Sequence, residues 1–313
     1  MTKLALKLIL ISITLTGLAA LPVFSKDSNN RDLSKRSMNI EKKFTGIRAY
    51  AGMEISYTQD NKKSVAIITG PKYIVEGMTW KIDSNGTLSF QYPAKRKNIK
   101  GIVRIKLNGN LLNNYESESS GVINVLTPVK SNKSLNFTIS SSGKIIIQEG
   151  VTVKNNNINI SATSSGELKF NNSVTGSKTN ITASASGIIK IPSLSVNSLN
   201  YSGSSTGILD IGISKINNVN ISVSSGAEIE IESCVADNLN ISSSSAGDAS
   251  IKNLKVNTMS LSSSSGGTIK TKGFCKVANL SASSGGYIKL KEMKIENIAS
   301  QKAVSGGSIK IGK

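Results

Sequence analysis

Residues 204–226 read Ser204-Ser205-Thr206-Gly207-Ile208-Leu209-Asp210-Ile211-Gly212-Ile213-Ser214-Lys215-Ile216-Asn217-Asn218-Val219-Asn220-Ile221-Ser222-Val223-Ser224-Ser225-Gly226. A serine-rich turn with glycine is followed by the alternation Leu209/Ile211. Half a unit later comes the apolar set Ile216/Val219/Ile221, with Asn220 and Ser222 between and after its last members. Alternation with period two marks a strand with one buried face. The unit recurs with turn glycines at Gly121, Gly143, Gly166, Gly187, Gly207, Gly226, Gly247, Gly267, Gly286 and Gly307, at intervals of 22, 23, 21, 20, 19, 21, 20, 19 and 21 residues. So short a unit cannot bury its own apolar side, but stacked copies can. The fold class predicted is all-β: a β-solenoid with about 20–21 residues per coil, each strand pairing in parallel with its equivalent about 4.8 Å away.

The inward positions after the turn are Ile123/Val125, Ile145/Ile147, Leu168/Phe170, Ile189/Ile191, Leu209/Ile211, Ile229/Ile231, Ile288/Leu290 and Ile309/Ile311. The second apolar set includes Val196/Leu199/Tyr201, Val235/Leu239/Ile241 and Val256/Met259/Leu261. Glycine in each turn is expected to supply a backbone shape that a Cβ resists. A leucine-rich repeat is disfavoured because the return half of the unit is a second alternating strand rather than a helix. The calcium-binding β-roll is disfavoured because its Gly-Gly-x-Gly-x-Asp nonapeptide is missing.

Outward from the coils, residues 1–25 read as a signal peptide: Lys3 and Lys7 lead an apolar run from Leu8 to Ala20, with a cut expected near Ser25. The run is shorter than the ~20 residues a spanning helix needs, so no transmembrane segment is expected after cleavage. Residues 26–40 read as a flexible leader. Residues 41–118 read as irregular coils and 119–313 as regular ones. The 313 residues carry 38 Lys+Arg, 19 Asp+Glu and no histidine, and removing the signal leaves a net +17. Without histidine there is no Ser-His-Asp or Cys-His pair and no His-based zinc motif. Two cysteines cannot build a Cys₄ metal site. No metal or cofactor is expected.

The signal, the opening Phe44-Thr45-Gly46-Ile47, the short strands at Met53 to Gln59, Ser64 to Gly70 and Thr87 to Pro93, and the coils from Ser119 together resemble the bacterial exported family described as putative auto-transporter adhesin, head GIN domain. The resemblance spans roughly residues 41–313. It implies a right-handed parallel β-helix on the cell envelope, in the periplasm, on the outer surface or outside the cell, with a proposed role in adhesion. An autotransporter carries a C-terminal membrane barrel. Here the coil pattern continues to Ile309-Lys310-Ile311, so self-translocation is not expected.

Equivalent positions in stacked coils form columns. Asn136, Asn159, Asn180, Asn200, Asn220 and Asn240 fall in one, followed by Ser260 and Ser281, and their amides can bond along a ladder. The Asn-x-Ser/Thr matches in this column follow from strand alternation rather than from glycosylation. Cys234 and Cys275 fall in matching parts of coils two repeats apart, with Lys255 between. Their axial separation of about 9.6 Å exceeds disulfide reach, so two unpaired thiols are expected.

The solvent-facing column after the turn reads Asn124, Ile146, Lys169, Lys190, Asp210, Glu230, Ser250, Lys270, Lys289, Lys310. Like charges one strand apart repel, so three successive lysines call for a reason. One reason is that they blunt an exposed edge. The other is that Lys270, Lys289 and Lys310 bind an anionic polymer such as an envelope or extracellular polysaccharide, with Lys95, Arg96 and Lys97 as a second basic group. Aromatics do not interleave with either group, which counts against nucleic acid as a partner. Glu228, Glu230 and Glu232 lie on one strand with Asp210 and Asp248 in the flanking coils. That patch reads first as surface charge. A metal site, or a polysaccharide hydrolase or lyase using Asp210, Glu228 and Glu230, is the alternative.

Overall fold

The computed structural model describes residues 33–60, 63–94 and 101–312. The strands in chain order begin with β1 (Leu33–Ile40), β2 (Gly46–Ala49), β3 (Glu54–Gln59) and β4 (Ser64–Pro71). A one-turn helix, α1 (Lys72–Val75), precedes β5 (Thr79–Ile82), β6 (Thr87–Gln91), β7 (Arg104–Gly109), β8 (Asn114–Ser117) and β9 (Val122–Val125). Two shorter coils follow as β10 (Val129–Ser131), β11 (Leu135–Ile139), β12 (Lys144–Ile147), β13 (Val151–Val153), β14 (Asn157–Ala162) and β15 (Glu167–Phe170). The regular part comprises β16 (Val174–Ala183), β17 (Ile188–Gly203), β18 (Ile208–Val223), β19 (Glu228–Ser243), β20 (Asp248–Ser263), β21 (Thr268–Ala282), β22 (Tyr287–Ala303) and β23 (Ser308–Ile311). Together they form a β-solenoid of about ten turns, with every strand from β8 onward pairing in parallel with its equivalent one coil away.

Each long strand wraps three faces. Between β17 and β18 the register runs Ile188–Ile191 on Ile208–Ile211, Ser193–Val196 on Ile213–Ile216, and Ser198–Gly203 on Asn218–Val223, with breaks at Pro192 and Asn197. The inward side chains of all three faces meet in one continuous core that runs the length of the solenoid. The predicted inward pairs from Ile123/Val125 to Ile288/Leu290 are buried. Ile311 is not: in the last coil it is 41% exposed, since nothing in the described chain stacks beyond it. Val235 was also expected inside, yet Cys234 and Ala236 take the inward places and Val235 points out, 44% exposed.

The turns correct the role expected of glycine. At Ser204–Gly207 the left-handed residues are Ser205 (φ 47°) and Thr206 (φ 63°), the φ signature of a type I′ turn, and the Gly207 N–H donates to the Ser204 carbonyl at 3.0 Å. Gly207 is not itself left-handed. It is needed because a Cβ there would land on the carbonyl of Ala183 in the neighbouring coil, and Gly247 is tied in the same way to Val223, where the added Cβ would sit 2.7 Å from the carbonyl oxygen. Gly226 belongs to a left-handed position (φ 73°), and the close-approach place in that coil is held by Ala227. The residue beneath Ala227 is Gly203, 3.1 Å from the Ala227 Cβ by its own would-be Cβ, so the missing methyl has moved one coil down.

The N-terminal end departs from a simple serial stack. β2 lies between β6 and β8, and β3 lies between β7 and β9, so the coil holding β6 and β7 stacks on the far side of the first coil rather than following it. β4 then pairs antiparallel with β7, β1 antiparallel with β4, and β5 antiparallel with β6, which ends the parallel stacking there. The leader expected at 26–40 is therefore corrected over its second half: Leu33–Ile40 is a strand, and the Arg36 guanidinium donates to the carbonyls of Glu76 (2.8 Å) and Met78 (3.1 Å). The predicted signal peptide and the rest of the leader lie outside the described residues.

Both cysteines are buried and unpaired. They do not share a column as expected. Cys234 stands over Ser214 and under Leu254, and Leu254 under Gly273, because the two coils span 20 and then 19 residues rather than the 41 that separate the cysteines; Cys275 therefore stands two places on, over Val256. Burial pushes both thiols above the usual range. An aromatic thiol reagent should therefore find neither in the native protein and both after unfolding without reductant; fewer than one per unfolded chain would mean a bridge.

The turn geometry also predicts a contrast. Gly207→Ala should cost about 1–3 kcal/mol of unfolding free energy, as overpacking against a fixed carbonyl does. Gly266→Ala, at φ 73° with nothing within 4 Å of an added Cβ, should cost less, since Ala246 fills the equivalent place in the preceding coil. Denaturant melts of the two variants compare them directly.

Candidate binding face

The first face, which follows each serine turn, carries three solvent-facing columns. The central one has the register expected from the sequence: Ile146 on Lys169, Lys169 on Lys190, Lys190 on Asp210, Asp210 on Glu230, Glu230 on Ser250, Ser250 on Lys270, Lys270 on Lys289 and Lys289 on Lys310. A second column, two residues later in each coil, runs Glu232, Lys252, Lys272, Lys291 and was missed by reading the central position alone. Its signal was present, since Lys recurs at the corner of three successive coils. Between these two columns lies an open trough of about 200 Å³, lined by Lys252, Lys270, Lys272, Lys289 and Lys291 around Ser250 and Thr271.

The lysines of the trough differ in what they touch. Lys252 binds both Glu230 and Glu232 (2.8 Å to the latter), and these carboxylates raise its pKa above the ordinary lysine value. Lys270 binds Asp248 at 2.7 Å and Lys291 lies 3.4 Å from Glu292. Among the described residues, Lys272 and Lys289 have no carboxylate within ion-pair distance. The Lys310 ammonium sits 5.6 Å from the centre of the Tyr287 ring, so one aromatic does join the lysine column, contrary to expectation. Lys95, Arg96 and Lys97 lie outside the described residues.

The acidic patch is arranged as the sequence implied: Asp210 on Glu230 in the central column, and Glu228 on Asp248 beside the turn. Three of its five carboxylates already bind lysines. Among the described residues no group of three or more acidic or thiol side chains is placed to hold a metal ion.

The third face is uncharged over most of its length. The asparagine ladder begins one coil earlier than expected, at Asn114, and each amide Nδ2 donates to the Oδ1 of the preceding one through Asn136, Asn159, Asn180, Asn200, Asn220 and Asn240, at 2.7–3.0 Å. Beyond Ser260 the column continues at Asn279, not at the expected Ser281, because this coil is 19 residues long rather than 21. A shallow groove of about 310 Å³ runs between this ladder and the serines two residues on, Ser222, Ser242 and Ser262.

Among the described residues no helix is long and apolar enough to cross a membrane. A comparison with curated proteins finds no match. Among solved structures, the chain is similar to one described as a putative adhesin from Parabacteroides merdae, at 15% identity over 88% of this chain and 97% of that one, with a TM-score of 0.49. It is similar to one described as a putative lipid binding protein from Parabacteroides distasonis, at 17% identity over 88% and 98% of the two chains, with a TM-score of 0.48. A third, a putative adhesin from Bacteroides fragilis, shows 19% identity over 86% and 98%, with a TM-score of 0.41. Matches over residues 43–207, 150–253 and 217–312 take in nearly all of the coils, and by them the chain belongs to the family described as putative auto-transporter adhesin, head GIN domain.

Proposed function

We propose that this protein is an exported, non-enzymatic β-helix head that binds a surface, and that its lysine trough holds an anionic polysaccharide of the envelope or extracellular matrix. The family's description as an adhesin supports the surface-binding part. The observation that carries the trough is Lys272 and Lys289, two ammonium groups without acidic partners among the described residues, standing in a groove walled by three further lysines, Lys252, Lys270 and Lys291. Stacking lysines about 4.8 Å apart costs repulsion in the free protein, and a polyanion laid along the trough relieves it. Catalysis by Asp210, Glu228 and Glu230 is the weaker reading, because Glu230 is tied to Lys252 and the acids lie on an open face rather than across a cleft.

Retention on an immobilised uronic-acid polysaccharide should be strong at low salt and lost by roughly 0.5 M, where screening shortens to a few ångströms. Lys272→Gln with Lys289→Gln should weaken retention about tenfold at low salt without lowering the melting temperature. Equal retention of the double variant would remove the trough from the proposal. Turnover of the same polymer that disappears in Glu230→Gln would replace binding with catalysis.

A further inference from the structure

The first face carries two charge blocks in tandem along the solenoid axis. Asp210, Glu228, Glu230 and Glu232 lie on β18 and β19, and Lys270, Lys272, Lys289 and Lys291 lie on β21 and β22. Between them is β20, which presents Asp248, Ser250 and Lys252. We propose that this face pairs with the same face of a second copy of the chain, solenoid axes antiparallel, about a two-fold axis that runs along β20 through Ser250.

The register dictates the partners. In the central column Asp210 and Lys289 lie two coils either side of Ser250, and Glu230 and Lys270 lie one coil either side. Rotation about the axis brings Asp210 over the partner copy's lysine at position 289, and Glu230 over the one at position 270. In the next column Glu232 and Lys272 flank Lys252 in the same way, so Glu232 meets the lysine at position 272. Each contact occurs twice, as an isologous interface requires. Asp210 has no ion pair within its own chain among the described residues, and neither have Lys289 and Lys272, so the pairing gives partners to groups that lack them.

The opposite arrangement fails. With the solenoid axes parallel, Asp210 would meet Asp210, Glu230 would meet Glu230 and Lys289 would meet Lys289 across the axis, and like charges face to face repel. In the antiparallel pair the only residues that meet their own copies are those on β20. There Ser250 is uncharged, Asp248 is bound by Lys270 at 2.7 Å, and Lys252 is bound by Glu230 and Glu232. Five coils by three columns cover about 19 by 14 Å. That is well below the roughly 800 Å² per partner of a stable interface, so the pair is weak and held by charge. It uses the same lysines as the proposed polysaccharide trough but rests on the charge register alone; the two uses compete.

The test is made without polysaccharide. Ser250→Cys puts one outward-facing, half-buried thiol on the axis while the native thiols stay buried, and a short bis-maleimide should link two chains at low salt and far less at about 0.5 M. Asn238→Cys, on the third face, should link only at background level. Within the Ser250→Cys protein, Lys289→Glu and Asp210→Lys should each cut the crosslinked yield about tenfold, and the two together should restore it. Melting temperatures confirm that each variant is folded. Linking that is equal at positions 250 and 238, absent for folded Ser250→Cys at low salt, or indifferent to either charge reversal overturns the pairing. Polymer retention is measured separately and survives or fails independently, which keeps the two proposals apart.

Discussion

Everything in this solenoid depends on one close approach, the passage of each serine turn over the carbonyl of the coil beside it. Parallel strands in register hold successive coils about 4.8 Å apart, and at the corner that spacing leaves no room for a methyl group. Hence Gly187, Gly207, Gly247, Gly267, Gly286 and Gly307 sit where their missing Cβ would strike backbone. The cost of bending falls instead on Ser205 and Thr206 and their equivalents, which adopt left-handed φ and are compensated along the stack: the Ser186 N–H donates to Ser205 at 3.1 Å and the Thr206 N–H to Ser225 at 3.3 Å. The Gly203–Ala227 exchange shows that what matters is the space shared by two coils, not the identity of either residue.

Once the corners fix the register, every outward position is committed to a column, and each column must solve the same problem of like groups stacked at strand spacing. Neutral amides solve it by bonding to one another, since an asparagine is both donor and acceptor. That is why the ladder runs from Asn114 to Asn240 without a gap. Charges solve it by alternation, as where Asp210 follows Lys190, or by diagonal ion pairs such as Lys252 with Glu230 and Glu232. Lys289 and Lys310, stacked on Lys270, follow neither course, and there the demands of stacking have yielded to something else.

The periodic part of this architecture is legible in the sequence because its cause is periodic. Strand alternation and turn spacing located the coils, the buried pairs and the central charged column. What escaped were the places where the period is broken or carries more than one meaning. Gly226 looked like a turn glycine because its neighbour Ala227 disguised the true position. The 19-residue coil at Gly273 put Cys275 and Asn279 two places from where a longer repeat counts them. The corner lysines 252, 272 and 291 were hidden because alternation was followed only as far as the central residue. The nesting of β2 and β3 between later strands leaves no local trace, because a parallel neighbour may come from either side.

The two ends of the stack show how the same constraint acts where it is incomplete. A parallel coil always offers a bare edge to the next one, and such an edge invites further strands. At the N-terminal end it is closed by reversing direction: β4 and β1 lie antiparallel on β7, β5 lies antiparallel on β6, and Arg36 ties β1 to the turn after α1 through the carbonyls of Glu76 and Met78. Antiparallel strands cannot pass on the corner register, so no further coil can follow from them. In β22 and β23 the register is still intact, and Ile298, Val304 and Ile311 are each about 41–42% exposed. The lysines concentrate over the same coils. Charge on the outer face therefore accompanies the part of the stack whose core is least covered, and repulsion between stacked ammonium groups works against adding another coil of the same kind there.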